Sequence, residues 1–310
     1  MRILVTGGAG FIGSHTVDAL VAERHDVAVL DDLSAGRRDQ INPAARFFRA
    51  DLRDVATVND IAARERFEIL VHLAAQMDVR RSVADPSFDA SVNLVGFLNV
   101  MEAGRRNGLR RVIFSSTGGA IYGEQRDFPC DEDHPANPVS PYGVAKLATE
   151  KYLHFYRAEY GIDYVALRYA NVYGPRQNPH GEAGVVAIFC GRIFAGQPVT
   201  IFGDGEQTRD YVFVGDVVRA NLAALNANES GAFNIGTGVE TSVNRLYREL
   251  ASVAGIDRRP NYAPRRPGEQ SRSVISPARA ADRLKWRPEV TLTDGLKATF
   301  NYFKQQAASG

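Results

Sequence analysis

The sequence predicts an α/β protein built on a doubly wound parallel sheet, and three observations support this prediction. Strand-like apolar segments alternate with helical segments through the first half of the chain, which is the pattern of βαβ units. A glycine-rich turn joins the first predicted strand, residues 3–5, to the first helix. Polar residues follow several strands, as expected where ligands bind at the carboxyl ends of a parallel sheet. The pattern indicates a Rossmann-type sheet with a smaller mixed α/β domain.

Composition and charge narrow the class of protein. The chain has 310 residues, of which 45% are hydrophobic, and this is enough for a large core. The formal net charge is +1, so nothing in the overall charge favours nucleic acid or an anionic membrane as a partner. The two cysteines, Cys130 and Cys190, lack metal-ligand spacing, and no apolar run approaches the ~20 residues of a membrane span. We expect a cytoplasmic protein without a bound metal.

The first strand runs into three glycines with the spacing Gly7-x-x-Gly10-x-x-Gly13. Gly7 allows backbone angles that a side chain would forbid, Gly10 leaves room for a pyrophosphate, and Gly13 lets helix and strand pack closely. The N–H groups at the start of the helix then face the phosphates. Because the turn follows a strand and opens a helix, it predicts a dinucleotide site.

The second predicted strand, residues 25–30, ends in two acidic residues, Asp31 and Asp32. In such folds an acidic residue about 20 positions beyond the glycines binds the adenosine ribose hydroxyls. A carboxylate there repels a 2′-phosphate, so Asp31 predicts NAD rather than NADP as the cofactor. Asp32 is better suited to an N-cap of the following segment.

The rest of the first half continues the alternation, and the second half does not. We predict strands over residues 46–50, 67–73 and 110–116, a helix over 85–107, and a helix that starts at Pro141. Beyond about residue 171, Gly, Pro and charged residues interrupt short elements. We therefore expect a cofactor domain over residues 1–170, to which segments around 213–236 return, and a substrate domain over 171–310.

A tyrosine and a lysine are four residues apart in the predicted helix, so Tyr142 and Lys146 share one helix face. A neighbouring ammonium lowers the pKa of a phenol, which makes the phenolate available as a base nearer neutral pH. The hydroxyl residues Ser115, Ser116 and Thr117 fall at the carboxyl end of a strand, where ligands bind. We expect these groups to form one catalytic site.

These motifs together resemble the extended short-chain dehydrogenase/reductase family and, within it, the UDP-glucose 4-epimerase branch. The resemblance rests on the N-terminal glycines, Leu73-Ala74-Ala75, Ser115-Ser116-Thr117 and Tyr142-x-x-x-Lys146, and it continues in segments 167–176, 203–211 and 233–236. It implies an isomerase of galactose metabolism that binds NAD and inverts C4 of UDP-hexoses, UDP-glucose and UDP-galactose, through a transient 4-keto intermediate.

The resemblance also implies roles for individual residues. Thr117, Tyr142 and Lys146 would form the catalytic group. The cofactor would be bound by Gly7, Gly10, Phe11, Ile12, Gly13, Asp31, Asp32, Leu33, Ser34, Ala35, Gly36, Asp51, Leu52, Leu73, Ala74, Ala75, Gln76, Met77, Asn93, Thr117, Tyr142, Lys146, Tyr169 and Ala170. The UDP-sugar would be bound by Thr117, Tyr142, Asn171, Val185, Val186, Thr200, Ile201, Phe202, Arg209, Arg266 and Glu269.

The sequence departs from the family pattern directly after its two serines, where Thr117 is followed by Gly118 and Gly119. Thr117 is the preferred catalytic hydroxyl, and Ser116 is the alternative. Relatives that eliminate water from nucleotide sugars place Asp and Glu where this chain has Gly118 and Gly119. Because glycine cannot transfer a proton, the sequence favours an epimerase over a dehydratase or a decarboxylase.

The sequence also gives expectations about alternative functions and about oligomeric state. Ser273 aligns with a pocket-wall position where a bulky Tyr restricts some relatives, so UDP-N-acetylglucosamine or another nucleotide sugar is an alternative substrate. A non-enzymatic, NAD-binding regulatory protein on the same fold is a further alternative, because fold does not fix function. The resemblance also implies a homodimer, paired through the helices near residues 85–107 and 141–159 in a four-helix bundle.

Overall fold

The computed structural model describes residues 1–179, 184–265 and 270–309. Within these residues the strands are β1 (Arg2–Thr6), β2 (Asp26–Asp31), β3 (Arg46–Arg49), β4 (Ile69–His72), β5 (Arg111–Thr117), β6 (Asp163–Tyr169), β7 (Asn171–Tyr173), β8 (Thr200–Phe202), β9 (Thr208–Phe213), β10 (Gly231–Ile235), β11 (Glu240–Ser242) and β12 (Asn261–Ala263). The helices are α1 (Phe11–Ala22), α2 (Val55–Glu65), α3 (Val79–Ala84), α4 (Pro86–Ala90), α5 (Gly96–Arg106), α6 (Pro141–Tyr160), α7 (Val185–Phe194), α8 (Val214–Asn226), α9 (Val243–Ala254), α10 (Ala278–Arg283) and α11 (Leu292–Ser309).

Seven parallel strands form the central sheet in the order β10-β6-β5-β4-β1-β2-β3. β1 pairs with β2 on one side and β4 on the other, so the strand order reverses at β1. Ile3 and Val5 face an apolar layer that contains α1 and α8, whereas Leu4 faces a layer that contains α2, α5 and α6. The predicted doubly wound parallel sheet is confirmed. Ligands in such sheets bind outside the carboxyl ends of the strands, at the reversal point.

The chain leaves the central sheet after β6 and later returns to it. β10 pairs with β6 at the edge of the sheet, and α8 packs against α1 in the same apolar layer. The segment between them, β7 to β9, belongs to a smaller unit. A boundary near residue 170 thus falls between β6 and β7, and the division into two domains stays a proposal.

The smaller unit has two short sheets and three packed helices. β9 lies between β7, which is parallel to it, and β11, which is antiparallel, while β8 pairs with β12. Side chains of α7, α9 and α11, among them Phe189, Leu246 and Leu296, form the core of this unit. Trp286 precedes α11 and donates from Nε1 to the Asp216 carbonyl oxygen at 2.8 Å. In the part of the chain that the structure describes, no helix has the length and apolar character needed to cross a bilayer.

The helix predicted over residues 85–107 is confirmed as a helical run from Pro86 to Arg106, and it contains a π turn that was not predicted. Asp85 caps α4 by accepting a hydrogen bond from Phe88 N at 2.9 Å, and Pro86 occupies its first turn. The next five residues, Ser91–Val95, form a π turn before α5 begins. A π turn takes up an extra residue and often marks a functional site. Here it contains Asn93, whose side chain bonds to the main chain of Gln76.

Candidate active site

The turn between β1 and α1 forms a cradle of main-chain atoms. Gly7 has a φ of +71°, and a Cβ there would come within 2.5 Å of Ala74 N. A Cβ on Gly13 would come within 2.0 Å of Gly7 O. Gly10 is the N-cap of α1 and gives it no side-chain cap. Among the described residues, a Cβ on Gly10 would meet only Gly7 O, at 3.2 Å. The first N–H groups of α1 are therefore approachable, which fits a pyrophosphate.

Asp31 places a carboxylate beside this turn. Its side chain accepts hydrogen bonds from Ala9 N at 2.9 Å and from Leu33 N at 2.8 Å. Burial raises the pKa of Asp31, and these two hydrogen bonds oppose that rise. A Cβ on Gly36 would meet the Ala9 carbonyl carbon at 2.7 Å, so the loop after β2 lies against the glycine turn. This arrangement fits the adenosine end of a dinucleotide.

The other residues predicted for the cofactor follow neighbouring strands. Phe11 and Ile12 open α1; the loop after β2 carries Asp32, Leu33, Ser34, Ala35 and Gly36; the segment after β3 carries Asp51 and Leu52; and the loop after β4 carries Leu73, Ala74, Ala75, Gln76 and Met77. Because the strands are parallel, these loops gather at one edge of the sheet. Leu52 is buried in the apolar layer against α2 and α5 and supports its loop from below.

Sequence reasoning missed Asp89, which lies in α4 at the same edge. Its Oδ1 accepts hydrogen bonds from Asn93 Nδ2 at 2.9 Å and from Gln76 Nε2 at 3.0 Å. Its side chain is 1% exposed, and Oδ2 has no hydrogen-bond partner among the described residues. The signal in the sequence was the i, i+4 spacing of Asp89 and Asn93, which puts two polar side chains on one helix face.

α6 brings Tyr142 and Lys146 to the carboxyl end of β5. Ser140 caps the helix by accepting a hydrogen bond from Gly143 N at 3.2 Å, and Pro141 occupies the first turn. Lys146 is buried, and its Nζ donates to the Ser115 carbonyl oxygen at 2.7 Å. The same Nζ lies 5.7 Å from the centre of the Tyr142 ring. The spacing therefore places phenol and ammonium together.

The electrostatics of this pair differ from the expectation drawn from spacing alone. Burial lowers the pKa of Lys146 to about 8, although the charges of Asp89 and Glu150 act in the opposite direction. Burial also raises the pKa of Tyr142 above its usual value, and the charge of Asp89 adds to that rise. The expected net lowering of the phenol pKa is therefore not found, because burial and the charge of Asp89 both raise it.

The structure separates the two candidate hydroxyls, Thr117 and Ser116, because they are successive residues of β5 and point to opposite faces. Ser116 Oγ donates to Glu150 Oε1 at 2.6 Å, and the same carboxylate holds Arg168 in a buried ion pair. Thr117 is partly exposed, and its hydroxyl forms no hydrogen bond within the described parts of the chain. The geometry favours Thr117 as the hydroxyl available to a substrate.

Tyr169 and Ala170, the two residues predicted near the nicotinamide, make different hydrogen bonds. Tyr169 is buried against α8, and its hydroxyl donates to Asn221 Oδ1 at 3.0 Å. Its carbonyl oxygen instead accepts from Gly118 N at 2.8 Å, beside the end of β5. Ala170 follows and donates from N to the Ile235 carbonyl oxygen at 2.9 Å. The main chain of Tyr169 therefore lies beside the end of β5.

The residues predicted to bind UDP-sugar come from the smaller unit. Asn171 lies on β7, Val185 and Val186 open α7, Thr200, Ile201 and Phe202 form β8, and Arg209 lies on β9. The side chains of Val186 and Ile201 are buried in the core of this unit. Arg209 Nη1 donates to the Thr208 carbonyl oxygen at 2.8 Å. Arg266 and Glu269 lie outside the described residues.

The fold and the site define a class of protein. A main-chain cradle for a pyrophosphate follows β1, and a Tyr–Lys pair on α6 lies at the carboxyl end of β5 in the same sheet. This is the arrangement of a dinucleotide-dependent enzyme. The chain belongs to the NAD dependent epimerase/dehydratase family, whose model matches residues 3–236.

Comparison with individual proteins agrees with this assignment. The chain is 47% identical to a UDP-glucose 4-epimerase of Mycolicibacterium smegmatis, with 99% of this chain and 100% of that one covered. Among solved structures, it is similar to the Thermotoga maritima UDP-glucose 4-epimerase with UDP-glucose (49% identity, TM-score 0.97, 99% of each chain covered). It is also similar to the Thermus thermophilus UDP-glucose 4-epimerase in complex with NAD (46% identity, TM-score 0.93, 98% and 99% covered). The resemblance drawn from the sequence is confirmed.

Proposed function

We propose that the protein is an isomerase that uses NAD to invert C4 of UDP-hexoses and so interconverts UDP-glucose and UDP-galactose. The observation that carries this proposal is the Tyr142–Lys146 pair at the carboxyl end of β5, in the same parallel sheet whose β1 leads into the glycine turn. Similarity to UDP-glucose 4-epimerases over almost the whole chain supports it.

The chain's own residues divide the work of a reaction through a transient 4-keto sugar. When bound, the oxidised nicotinamide supplies a hydride acceptor that also returns the hydride. Tyr142 takes the proton of the 4-hydroxyl as the C–H bond breaks, and gives it back as that bond forms again. Thr117 hydrogen-bonds to the same oxygen. Lys146, fixed by Ser115 O, keeps a positive charge near the phenol.

The positive charge of the oxidised cofactor acts on Tyr142 in the same direction as Lys146, and both favour the phenolate. This matters because burial alone raises the pKa of Tyr142. We infer that the phenol becomes a useful base only in the loaded site. The ketose must then present its other face, so UDP is held firmly by residues such as Arg209 and the sugar is held loosely.

An elimination reaction is disfavoured by the residues after Thr117. Gly118 and Gly119 have no side chain that could transfer a proton, so this segment offers neither an acid nor a base for removing water. UDP-N-acetylglucosamine stays an alternative substrate. Ser273 is buried and small, but its prediction as a pocket-wall residue that admits an N-acetyl group stays a prediction.

The proposed function is tested by assaying the purified protein with UDP-galactose and NAD. We expect UDP-glucose to form, with NAD supporting turnover better than NADP because Asp31 repels a 2′-phosphate. Product is measured by nuclear magnetic resonance, with UDP-N-acetylglucosamine assayed in parallel. Bound cofactor without turnover of any nucleotide sugar would favour the regulatory alternative instead.

We also propose a homodimer formed through the helices on one side of the central sheet. Val95, Val144 and Phe155 are exposed there, on the π turn and on α6. A groove of about 550 Å³ between α4 and α6 is lined by further apolar side chains, including Leu94 and Val139. A second copy of this face would cover them, as the four-helix bundle of the family implies.

Dimer formation is expected to fail when a charge is placed on this face. Val144→Glu would bury an unpaired carboxylate at the interface, and we expect monomers in sedimentation velocity at concentrations where the wild type is dimeric. Val239→Glu is the matched control, because Val239 is 52% exposed, close to the 53% of Val144, but lies between β10 and β11. A dimeric Val144→Glu variant would exclude this face.

The state of the two cysteines is informative about the cellular compartment of the protein. Cys130 and Cys190 are both buried free thiols. Free thiols are typical of proteins from reducing compartments. We propose that the protein is cytoplasmic, which localisation of a tagged protein would test.

A further inference from the structure

Gly119 is a glycine whose missing side chain is explained by neither backbone angle nor packing. Among the other described glycines without a positive φ, all but Gly10 and Gly191 would bring a Cβ to 3.0 Å or closer to a neighbour. The adjacent Gly118 is typical of these, since a Cβ there would come within 2.6 Å of Ile275 Cδ1. Gly119 lacks a positive φ, and among the described residues its Cβ would meet only Thr117 Oγ1, at 3.9 Å. The fold itself would therefore accept a larger residue at this position.

The open space beside Gly119 lies at the candidate active site. Gly119 is in the turn that follows β5, and its nearest neighbour would be the hydroxyl proposed to contact the reacting oxygen. The next residue, Ala120, packs against the first turn of α6, where a Cβ on Gly143 would come within 2.8 Å of Ala120 O. That turn of α6 also carries Tyr142. A side chain on residue 119 would thus start between Thr117 and solvent, in the region of the sugar.

We infer that Gly119 keeps free the space in which the hexose turns over between loss and return of the hydride. This inference rests on the proposed function. In the first half-reaction, C4 loses a hydride to the cofactor and its hydroxyl loses a proton to Tyr142. In the second half-reaction, both are returned, the hydride to the opposite face. One binding pose is enough for the first step, whereas the whole cycle needs room for two.

The test is Gly119→Val, because a branched side chain fills the space beside Thr117 without adding charge. We expect epimerisation to slow by at least about tenfold, which is the usual effect of one extra methylene-sized group in a substrate pocket. The absorbance of reduced nicotinamide that UDP-galactose produces should be kept, because removal of the hydride and its return to the same face of C4 need no turnover of the hexose. Affinity for UDP, which lacks the hexose, should stay within about twofold by calorimetry, since ground-state contacts are unchanged.

Gly191→Val in α7 is the matched control, since its Cβ would make only an ordinary contact of 3.5 Å with Pro179 Cβ. Equal thermal midpoints for Gly119→Val and wild type would show that the variant folds, and Gly119→Ala supplies a milder second variant. Wild-type turnover in Gly119→Val would overturn the inference. So would an equal loss of turnover and of cofactor reduction, which would mean that residue 119 governs binding. Absence of turnover in the wild-type protein would overturn the proposed function, and this inference with it.

Discussion

Tyr142→Phe is expected to reduce interconversion of UDP-glucose and UDP-galactose by about 10²–10⁴-fold, the usual contribution of a positioned acid–base group. The variant keeps the ring that lies 5.7 Å from Lys146 Nζ and loses only the hydroxyl that exchanges the proton. Lys146 keeps its hydrogen bond to Ser115 O, so the end of β5 should not rearrange. Cofactor and UDP binding should therefore persist while turnover falls.

The measurement is the initial rate of product formation, together with the amount of bound NAD. Tyr160→Phe is a matched control, since Tyr160 is the last residue of the same helix and is well exposed. It should react at the wild-type rate. A Tyr142→Phe variant with that same rate would show that another group moves the proton, and the assignment of the catalytic residue would fail.

Local spacing explains why so much of the site could be predicted from the sequence. The turn of Gly7, Gly10 and Gly13 and the pair Tyr142 and Lys146 each lie within one supersecondary unit. Their geometry follows from the turn and from helical periodicity, which are properties of a short stretch of chain. The parallel sheet was predictable for a related reason, since alternation of strands and helices leaves few topologies.

Features that depend on distant parts of the chain could not be predicted in this way. The predicted helix contains a π turn at Ser91–Val95, and Asn93 within it bonds to Gln76, a residue 17 positions away. The rise in the pKa of Tyr142 depends on burial, which only the folded protein defines. Tyr169 matched the family pattern, yet its side chain bonds to Asn221, 52 positions further on.

Ser116 shows how tertiary contacts decide between alternatives that a sequence leaves open. Both Ser116 and Thr117 carry a hydroxyl at the end of β5, and the sequence gives only a preference for Thr117. Glu150 favours Thr117 as the available hydroxyl, because its Oε1 accepts a hydrogen bond from Ser116 Oγ at 2.6 Å. Glu150 is itself fixed by Arg168 of β6, so the arrangement depends on three separate elements.

The largest effect on stability is expected at Arg168. Its guanidinium donates to both oxygens of Glu150, from Nη2 at 2.6 Å and from Nε at 3.0 Å, and from Nη1 to Tyr122 OH at 2.8 Å. The two charged side chains are 8% and 7% exposed. Arg168→Met leaves the Glu150 carboxylate buried without its partner, and such losses cost about 3–5 kcal/mol. Urea unfolding should show a decrease of that size in the free energy of unfolding.

Two further variants separate the loss of the ion pair from the loss of side-chain volume. Arg245→Met removes one side of the surface pair with Glu249, where Arg245 is 51% exposed, and should cost at most about 1 kcal/mol. The double variant Arg168→Met/Glu150→Leu removes both buried charges, so it should recover part of the stability that Arg168→Met alone has lost. Because Ser116 would then lose its acceptor as well, recovery is expected to be incomplete. The double variant could instead be less stable than Arg168→Met by as much as an independent core substitution costs. In that case the stability lost in Arg168→Met would come from packing and not from an unpaired carboxylate.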